Sequence, residues 1–239
     1  MRVGKDYDLK RLGHMIYMSN HTENGFPQNY THFIPAENED PEIAAYVASV
    51  NGYSQDAIEL HGSMSDQGIR AYYANPLEVD WGSSISWSKE YFKGKESLLK
   101  LRNSKSTRSV CILEWNPKDI LNIFRAFYGD DPDVPDEMAF PQNYFFACNG
   151  NLSDKVLNET GKMIGRSTGI VYTPYYKKTI TQAYILPEYN EIGKEVTILW
   201  GTAGTRQIPI RANIARFPYL DLPSNRTYDM ESIPRYKPE

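Results

Sequence analysis

The chain has 239 residues, a formal net charge of −4 and no long run of basic residues, so a nucleic-acid backbone is not an expected partner. Its length allows one large or two small domains. The N-terminal segment MRVGKDYDLK lacks the apolar region of a signal peptide, and no stretch is long and apolar enough to span a membrane. We therefore expect a cytosolic protein that does not act on membranes.

Cysteine and histidine usage argues against a disulfide scaffold and against a metal site. There are two cysteines and four histidines, and they do not cluster at ligand spacing. Cys111 lies in the apolar run SVCILEW, where an inert core thiol is expected. The 18 tyrosines suit either a β-rich body or a pocket that binds flat ligands.

The N-terminal part of the chain reads as turn-rich with a few short elements. The opening third is irregular because the Asn24-Gly25 turn signal and nearby prolines interrupt any long periodicity. A helix is predicted over Asp40–Val50, with a proline in its first turn, and a loop with a short helix over Ser63–Pro76. The alternation in Ser84–Ser88 predicts a strand, and Lys95–Leu101 predicts a helix.

The C-terminal part has a different sequence pattern, which predicts one amphipathic helix among several short strands. SVCILEW, from Ser109, predicts a strand, and Asn116 then caps the helix PKDILNIFRAFY. The acidic turn Gly129–Asp136 fits a solvated loop better than a divalent-cation site. Further strands are predicted at Tyr144–Cys148, Lys162–Val171, Thr179–Leu186, Glu195–Leu199 and Arg206–Ile214.

This series of short strands predicts a small antiparallel barrel or sandwich. The polar segment Asn103–Thr107 is the expected boundary, which divides the chain into domains 1–104 and 105–239. The predicted fold class is α+β.

Two long motifs resemble the glycine-cleavage aminomethyltransferase (T-protein) family. GRSTGIVYTPYYKKTITQAYILPEYNEIGKEVTILWG, Gly165–Gly201, is similar to that family's C-terminal barrel. NPLEVDWGSSISWSKEYFKGKESL resembles its Pro-x-Glu-x-Gly-x-Gly segment and the helix start that follows. This sequence departs from the family at Lys95, where arginine is usual, and at Val79-Asp80, which interrupt the glycine-rich part.

Within that superfamily, YMSNHTENGF resembles the Tyr-Ser-Ser-Asn-x-x-Glu-x-Gly-Trp stretch of the tetrahydrofolate-dependent aryl O-demethylases, which act on vanillate and syringate. The tail Arg211–Asp229 is also similar to their C-terminal segment. The resemblance covers the C-terminal half of such an enzyme. It implies the end of a folate-binding α+β domain over 1–104 and a β-barrel over 105–239. It also implies either that another polypeptide, or a homo-oligomer, completes the pocket, or that this chain no longer performs the reaction.

The resemblance points to Tyr17 as the catalytic acid. Demethylation of an aryl methyl ether releases a phenolate, whose conjugate acid has a pKa of about 10. An acid of similar pKa beside the ether oxygen assists that departure, and tyrosine is such an acid. The alternative is a tyrosine packed in a turn.

Four further residues are candidates for binding tetrahydrofolate. Glu23, in the Asn-x-x-Glu-x-Gly match, can accept paired N–H groups from a pterin, although it can equally be an exposed residue before a turn. Asn20 can hold the loop, and Trp81 can stack on a flat ring or belong to the core. Glu78 can bind the cofactor or only cap a turn. Lysines and Arg102 near the helix start at Lys95 form a modest basic patch that suits a folate tail or is simply solvated.

Three functions follow from these observations. The first is half of a tetrahydrofolate-dependent methyltransferase that O-demethylates a methoxylated aromatic acid to give 5-methyltetrahydrofolate. The second is a non-catalytic module that binds folate or assists assembly. The third is aminomethyl transfer, which the Tyr-x-Ser-Asn character of the motif disfavours.

Overall fold

Six antiparallel strands close into a barrel, in a computed structural model that describes residues 13–51, 58–104, 107–130, 132–136, 138 and 152–221. The strands run in the order β1-β4-β3-β2-β5-β6 around the barrel, so none of the six has an open edge. Their bounds are β1 Ser109–Trp115, β2 Ser153–Leu157, β3 Met163–Thr173, β4 Lys178–Ile185, β5 Glu195–Trp200 and β6 Ile208–Ala215.

Helices precede and interrupt this barrel. Within the described ranges they are α1 His14–Glu23, α2 Pro41–Asn51, α3 Lys95–Asn103 and α4 Pro117–Ala126. Short 3₁₀ turns at Ala36–Glu39, Ser65–Gln67, Ile69–Tyr72, Gly82–Ser84 and Pro187–Tyr189 link the remaining segments. The predicted α+β class and the antiparallel barrel are therefore confirmed.

The local predictions succeeded where side-chain periodicity was strong. The helices predicted over Asp40–Val50 and from Lys95 both form, as does the strand SVCILEW. The strand predicted at Ser84–Ser88 is wrong, because this segment continues from a 3₁₀ turn into further turns, and the Trp87 indole N–H donates to the carbonyl of Gly82. Tyr144–Cys148 lies outside the described residues.

Two elements were not predicted from the sequence. Strand β2, with the sequence SDKVL, has a mixed polar pattern, yet three of its five residues are buried. Helix α1 forms in the part that was predicted to be irregular, and it ends at the expected Asn24-Gly25 turn.

The barrel interior is filled by aromatic and β-branched side chains. Trp115 and Trp200 meet edge to face with their ring centroids 5.6 Å apart. The Trp115 indole N–H donates to Thr181 Oγ1 at 3.0 Å, so the polar atom of this ring is satisfied in the core. Cys111 is buried as predicted, and burial raises the pKa of its thiol to about 12, which makes it inert at neutral pH.

The acidic turn after α4 contacts the loop after β5 through its last aspartate, which is half-buried. The backbone N–H of Thr202 donates to Asp136 Oδ2 at 2.6 Å, and the Thr205 hydroxyl donates to Asp136 Oδ1. In the part of the chain that the structure describes, no group of three or more His, Cys, Asp or Glu side chains could hold a metal ion. None of the helices in the described ranges is long and apolar enough to span a bilayer.

Strand β3 holds the N-terminal segment against the barrel. Arg166 donates through Nη1 to the carbonyl of His32 at 3.0 Å and through Nη2 to the carbonyl of Tyr72 at 3.2 Å. The Thr168 hydroxyl contacts the carbonyl of Thr31 at 2.8 Å. The GRSTG motif of the barrel therefore attaches the segment that carries α1.

Arg166 is a fully buried cation that is held by carbonyls and by a ring. Its guanidinium lies 4.6 Å above the Tyr184 ring, where a cation–π contact offsets part of the desolvation cost. Burial lowers the pKa of Arg166 to about 10, so it still carries its charge at neutral pH.

The cap of α4 gives a first testable prediction. The Asn116 side chain accepts from the Lys118 backbone N–H at 2.9 Å, and Pro117 occupies the first helical position. We expect Asn116→Ala to lower the free energy of unfolding by about 1 kcal/mol, because an N-terminal N–H loses its partner. Asn116→Asp keeps the acceptor and should stay near the wild-type value in urea denaturation. Equal losses in both variants would contradict the assigned cap.

Candidate functional site

Helix α1 carries three of the five predicted site residues. Tyr17, Asn20 and Glu23 are spaced three residues apart, so they follow a row that turns by about 60° at each step. The Tyr17 side chain is 45% exposed. Asn20 lies inside the helix and not in a loop, and its carbonyl accepts from the backbone N–H of Asn24.

Tyr17 and Trp81 are connected by a series of aromatic contacts that we call the aromatic row: Tyr17, His21, Phe26, Trp81 and Phe33. Ring centroids are 4.4 Å apart for Tyr17 and His21, and 5.5 Å apart for His21 and Phe26. Trp81 lies 6.1 Å from Phe26 and 6.0 Å from Phe33. The fold thus brings together two motifs that are about sixty residues apart in sequence.

Two rings of the aromatic row are at least partly exposed. Phe26 is 58% exposed, and Trp81 is only partly buried. Aromatic faces of this kind stack on planar rings in offset or edge-to-face geometry. Trp81 therefore belongs neither to the barrel core nor to an isolated turn.

Glu23 ends α1 and lies away from Tyr17. The two residues are six positions apart, which places them about 9 Å apart along the helix axis and about 120° apart around it. The Glu23 carbonyl accepts from the Leu220 backbone N–H at 3.0 Å. Burial, a hydrogen bond to Glu114 and the charges of Glu114 and Glu23, among other causes, raise the pKa of Tyr219, so the Glu23 carboxylate is near that phenol.

Glu78 is engaged inside the protein. The side chain is 8% exposed, Arg108 Nε donates to its Oε1 at 2.7 Å, and the Asn75 backbone N–H donates to its Oε2 at 3.1 Å. These bonds close the turn that leads to Trp81 and join it to the start of the barrel domain. They give Glu78 a structural role, and its predicted contact with a cofactor stays a prediction.

The basic patch near α3 is partly used in local contacts. Lys95 Nζ donates to the carbonyls of Lys89 and Glu90. The Arg102 guanidinium lies 4.8 Å from the centroid of the Trp87 ring. Both side chains therefore stabilise the turn before α3, and this reduces what the patch offers an anionic tail.

An apolar cavity of about 550 Å³ lies between α4 and the barrel, and none of the five predicted residues lines it. Trp115, Ile120 and Phe124 contribute to its walls, and Lys178 at its edge is paired with Glu114. The residues that the sequence motifs identify all lie elsewhere, so the candidate site is the surface of α1 and the aromatic row.

Sequence reasoning did not assign roles to the residues that hold α1 in place. The Thr22 hydroxyl donates to the Gly169 carbonyl at 2.8 Å and lies 3.1 Å from His32 Nε2. Gln182 Nε2 donates to the His21 carbonyl at 3.1 Å. Burial is the largest cause that lowers the pKa of His32 to about 3, followed by the charges of His21 and Arg166. The only sequence signal for these contacts was that His21 and Thr22 directly follow the Tyr-x-Ser-Asn motif.

The surface of α1 and the aromatic row bring together groups of three kinds. Phe26 supplies an exposed ring and Trp81 a partly buried one, Glu23 supplies a carboxylate, and Tyr17 supplies an exposed phenol. Their contact with tetrahydrofolate stays a prediction.

Two curated proteins are similar to nearly the whole of this chain. It is 30% identical over 242 residues to a sesamin methylene transferase from a Sinomonas species, covering 98% of this chain and 52% of that protein. It is 27% identical over 228 residues to a syringate O-demethylase from a Sphingobium species, covering 91% of this chain and 47% of that protein. The chain thus spans about half the length of the curated relatives that it matches. No model of a known protein family matches the chain.

These relatives bear out the resemblance to the tetrahydrofolate-dependent demethylases that the sequence motifs indicated. Among solved structures, the glycine cleavage system aminomethyltransferase T from Bartonella henselae resembles it with a TM-score of 0.40 and 14% identity, covering 61% of this chain and 32% of that one.

Proposed function

We propose that this chain forms one wall of a tetrahydrofolate-dependent enzyme that removes the methyl group of a methoxylated aromatic acid and yields 5-methyltetrahydrofolate. The observation that carries the proposal is the aromatic row, which joins the candidate acid Tyr17 to the ring of Trp81 on an open surface. The syringate O-demethylase to which the chain is similar supports the choice of substrate class.

Each group of the site has a defined task in this reaction. Tetrahydrofolate, when bound, supplies the N5 amine that accepts the methyl carbon. Tyr17 donates its proton to the ether oxygen as the carbon–oxygen bond breaks, so the leaving group departs as a phenol. Glu23 accepts pterin N–H groups and fixes the ring, while Asn20 lies between these two residues on the helix surface. Phe26 and Trp81 stack on flat ligand rings and exclude water from one side.

The remaining walls of the pocket would come from further polypeptide. The chain covers 52% and 47% of its two relatives, and Tyr17 is 45% exposed in the described structure. A complementary half, whether continuous with these residues, on a separate polypeptide or in a second copy of the chain, would cover this side. The half of the Sinomonas relative that the chain does not match is a suitable partner for reconstitution.

The reconstituted enzyme tests the role of Tyr17 through a single hydroxyl. We expect Tyr17→Phe to lower kcat by about 100-fold to 1,000-fold, because the ether oxygen loses its proton donor. The loss should grow as the phenol leaving group becomes more basic, while the affinity for tetrahydrofolate in calorimetry stays the same. Tyr46→Phe, which removes a hydroxyl from a side chain that is 68% exposed on α2, is the control. A kcat for Tyr17→Phe equal to that of Tyr46→Phe would refute the assignment.

Transfer of a methylene group is the second candidate reaction. The relative from Sinomonas is a methylene transferase by name, and it matches 98% of this chain. A methylenedioxy-bridged aromatic compound in the same assay distinguishes the two reactions by the folate product, 5,10-methylene- or 5-methyltetrahydrofolate. A module without catalytic activity would instead bind tetrahydrofolate with no product in either assay.

A further inference from the structure

Helix α1 is attached to the barrel by a buried series of hydrogen bonds that no motif assignment covers. Thr22, His32 and Gln182 are all fully buried, and they lie beneath α1 where it meets strands β3 and β4. Thr22 is about 160° around the helix from Asn20, so the attached side is opposite the side that carries the candidate site. The orientation of the site residues therefore depends on this attachment.

We propose that His32 is a positioning residue, which acts through Thr22 to set the rotation of α1 and so the direction in which Tyr17 and Glu23 face the substrate. This inference rests on the proposed function for its effect on turnover, and on the structure alone for its effect on the helix. His32 touches neither Tyr17 nor Glu23, so its role is indirect.

The hydrogen bonds define the protonation of the His32 ring. The Gln28 backbone N–H donates to His32 Nδ1 at 3.0 Å, so Nδ1 carries a lone pair. The Thr22 hydroxyl donates to the carbonyl of Gly169, so its oxygen is free to accept the proton on His32 Nε2, 3.1 Å away. The His32 ring is therefore neutral with its hydrogen on Nε2, and each N–H or O–H in the series has one acceptor.

His32 cannot move to relieve a change at Thr22. Its carbonyl accepts from Arg166, and the carbonyl of Thr31 contacts the hydroxyl of Thr168. Gly169 has a φ of +64°, and a Cβ there would come within 2.4 Å of His32 Nε2, so the ring is packed directly against the strand backbone. Burial and the nearby charges of His21 and Arg166 lower the pKa of His32, which keeps the ring neutral when the solvent is near pH 7. The Thr22 oxygen is therefore held between His32 Nε2 and the carbonyl of Gly169.

The matched variants Thr22→Val and Thr22→Ser separate the hydrogen bonds from the volume of the side chain. Valine has the shape of threonine without the hydroxyl, while serine keeps the hydroxyl and loses a methyl group. Placing 3-fluorotyrosine at position 17 alone gives a ¹⁹F signal that reports the surroundings of that ring in the full chain. We expect Thr22→Val to shift this signal and Thr22→Ser to leave it near the wild-type position.

In the reconstituted enzyme, Thr22→Val should lower kcat by about 10-fold to 100-fold with little change in the KM for tetrahydrofolate, as expected when a reacting group is displaced by about 1 Å. Thr22→Ser should restore most of kcat. Equal ¹⁹F positions and equal kcat values in the two variants would overturn the proposal.

A measurement on the wild-type protein tests the proposal without variants and without turnover. Long-range ¹H–¹⁵N NMR of the His32 ring should show hydrogen on Nε2 and none on Nδ1, and the opposite tautomer or a charged ring at pH 7 would also overturn the proposal. Absence of turnover in the wild-type reconstitution contradicts the proposed function, whereas the ¹⁹F and ¹⁵N readings decide the positioning role on their own. The two failures are therefore distinguishable.

Discussion

Replacing His32 with glutamine should make the protein less sensitive to acid. The pKa of His32 in the folded protein is about 3, below the ordinary value of 6.5, mainly because the ring is buried. Between these two pH values the unfolded chain binds more protons at this position than the folded protein does. Stability from His32 is therefore fully present above about pH 6.5 and is lost as the pH falls toward 3.

The size of this effect follows from the two pKa values. By pH 5, wild-type protein should have lost about 2 kcal/mol of its free energy of unfolding through His32, and up to about 5 kcal/mol at the acid end of the window. His32→Gln removes this loss, although it also removes native hydrogen bonds and lowers stability at neutral pH. The measurement is urea denaturation of both proteins from about pH 7.5 to pH 5. A constant difference between the two curves over this range would contradict the buried neutral ring.

Replacing Asp154 with asparagine should have the opposite effect on the pH dependence. Asp154 is fully buried in β2, where Ser63 donates a backbone N–H to its Oδ1 at 2.9 Å. Burial raises its pKa from 3.8 to about 7, and the nearby charge of Asp136 contributes in the same direction. The folded protein thus binds the proton more tightly than the unfolded chain. Stability from Asp154 is present below about pH 3.8 and is lost as the pH rises through 7.

In the wild-type protein, ionisation of Asp154 should lower the free energy of unfolding by about 2 to 3 kcal/mol between pH 5 and pH 7.5, and Asp154→Asn should remove this loss. Asparagine keeps an acceptor for the Ser63 N–H but places an amide N–H₂ where the carboxylate also accepts from the backbone of Gly201. The variant should gain stability relative to the wild type as the pH rises. A variant curve parallel to the wild type would show that the Asp154 carboxylate is charged at pH 5.

Between pH 5 and pH 6.5, the contributions of His32 and Asp154 to the free energy of unfolding largely cancel in the wild-type protein. This is because one contribution rises with pH while the other falls. The single variants should reveal these slopes: His32→Gln should become more stable on acidification, and Asp154→Asn less stable. The double variant should recover the shallow wild-type dependence. Other titrating groups contribute equally to all four proteins and are removed by taking differences.

Local sequence signals were sufficient for the elements with strong periodicity or capping. Helix α4 has a side-chain cap at Asn116, a proline at its first position and apolar residues at helical spacing, and each of these acts within a few residues. Strand β1 has a mostly apolar sequence, and it pairs along both edges with β4 and β6. Strand β2 is stabilised mainly by its partners β3 and β5, and its short polar sequence contains no sign of them.

The candidate site could be predicted as residues but not as an arrangement. The motifs identified Tyr17 and Trp81 separately, and only the folded chain shows that Phe26 and His21 connect them. Similarly, Glu78 has the same appearance in the sequence whether it faces a ligand or pairs with Arg108, which lies thirty residues further along the chain. The role of Thr22 depends on Gly169, and a contact over that separation leaves no periodic signal in the sequence.

Transfer of an isotopically labelled methyl group tests most directly whether this chain supplies a catalytic wall to a folate enzyme. The chain is combined with the unmatched half of the Sinomonas relative, tetrahydrofolate and syringate that carries ¹³C in its methoxy groups. We expect the ¹³C resonance of 5-methyltetrahydrofolate to appear only when both halves are present, and to form far more slowly with Tyr17→Phe. Stable assembly and tetrahydrofolate binding with no transfer of label from any methoxylated or methylenedioxy aromatic compound would contradict the account.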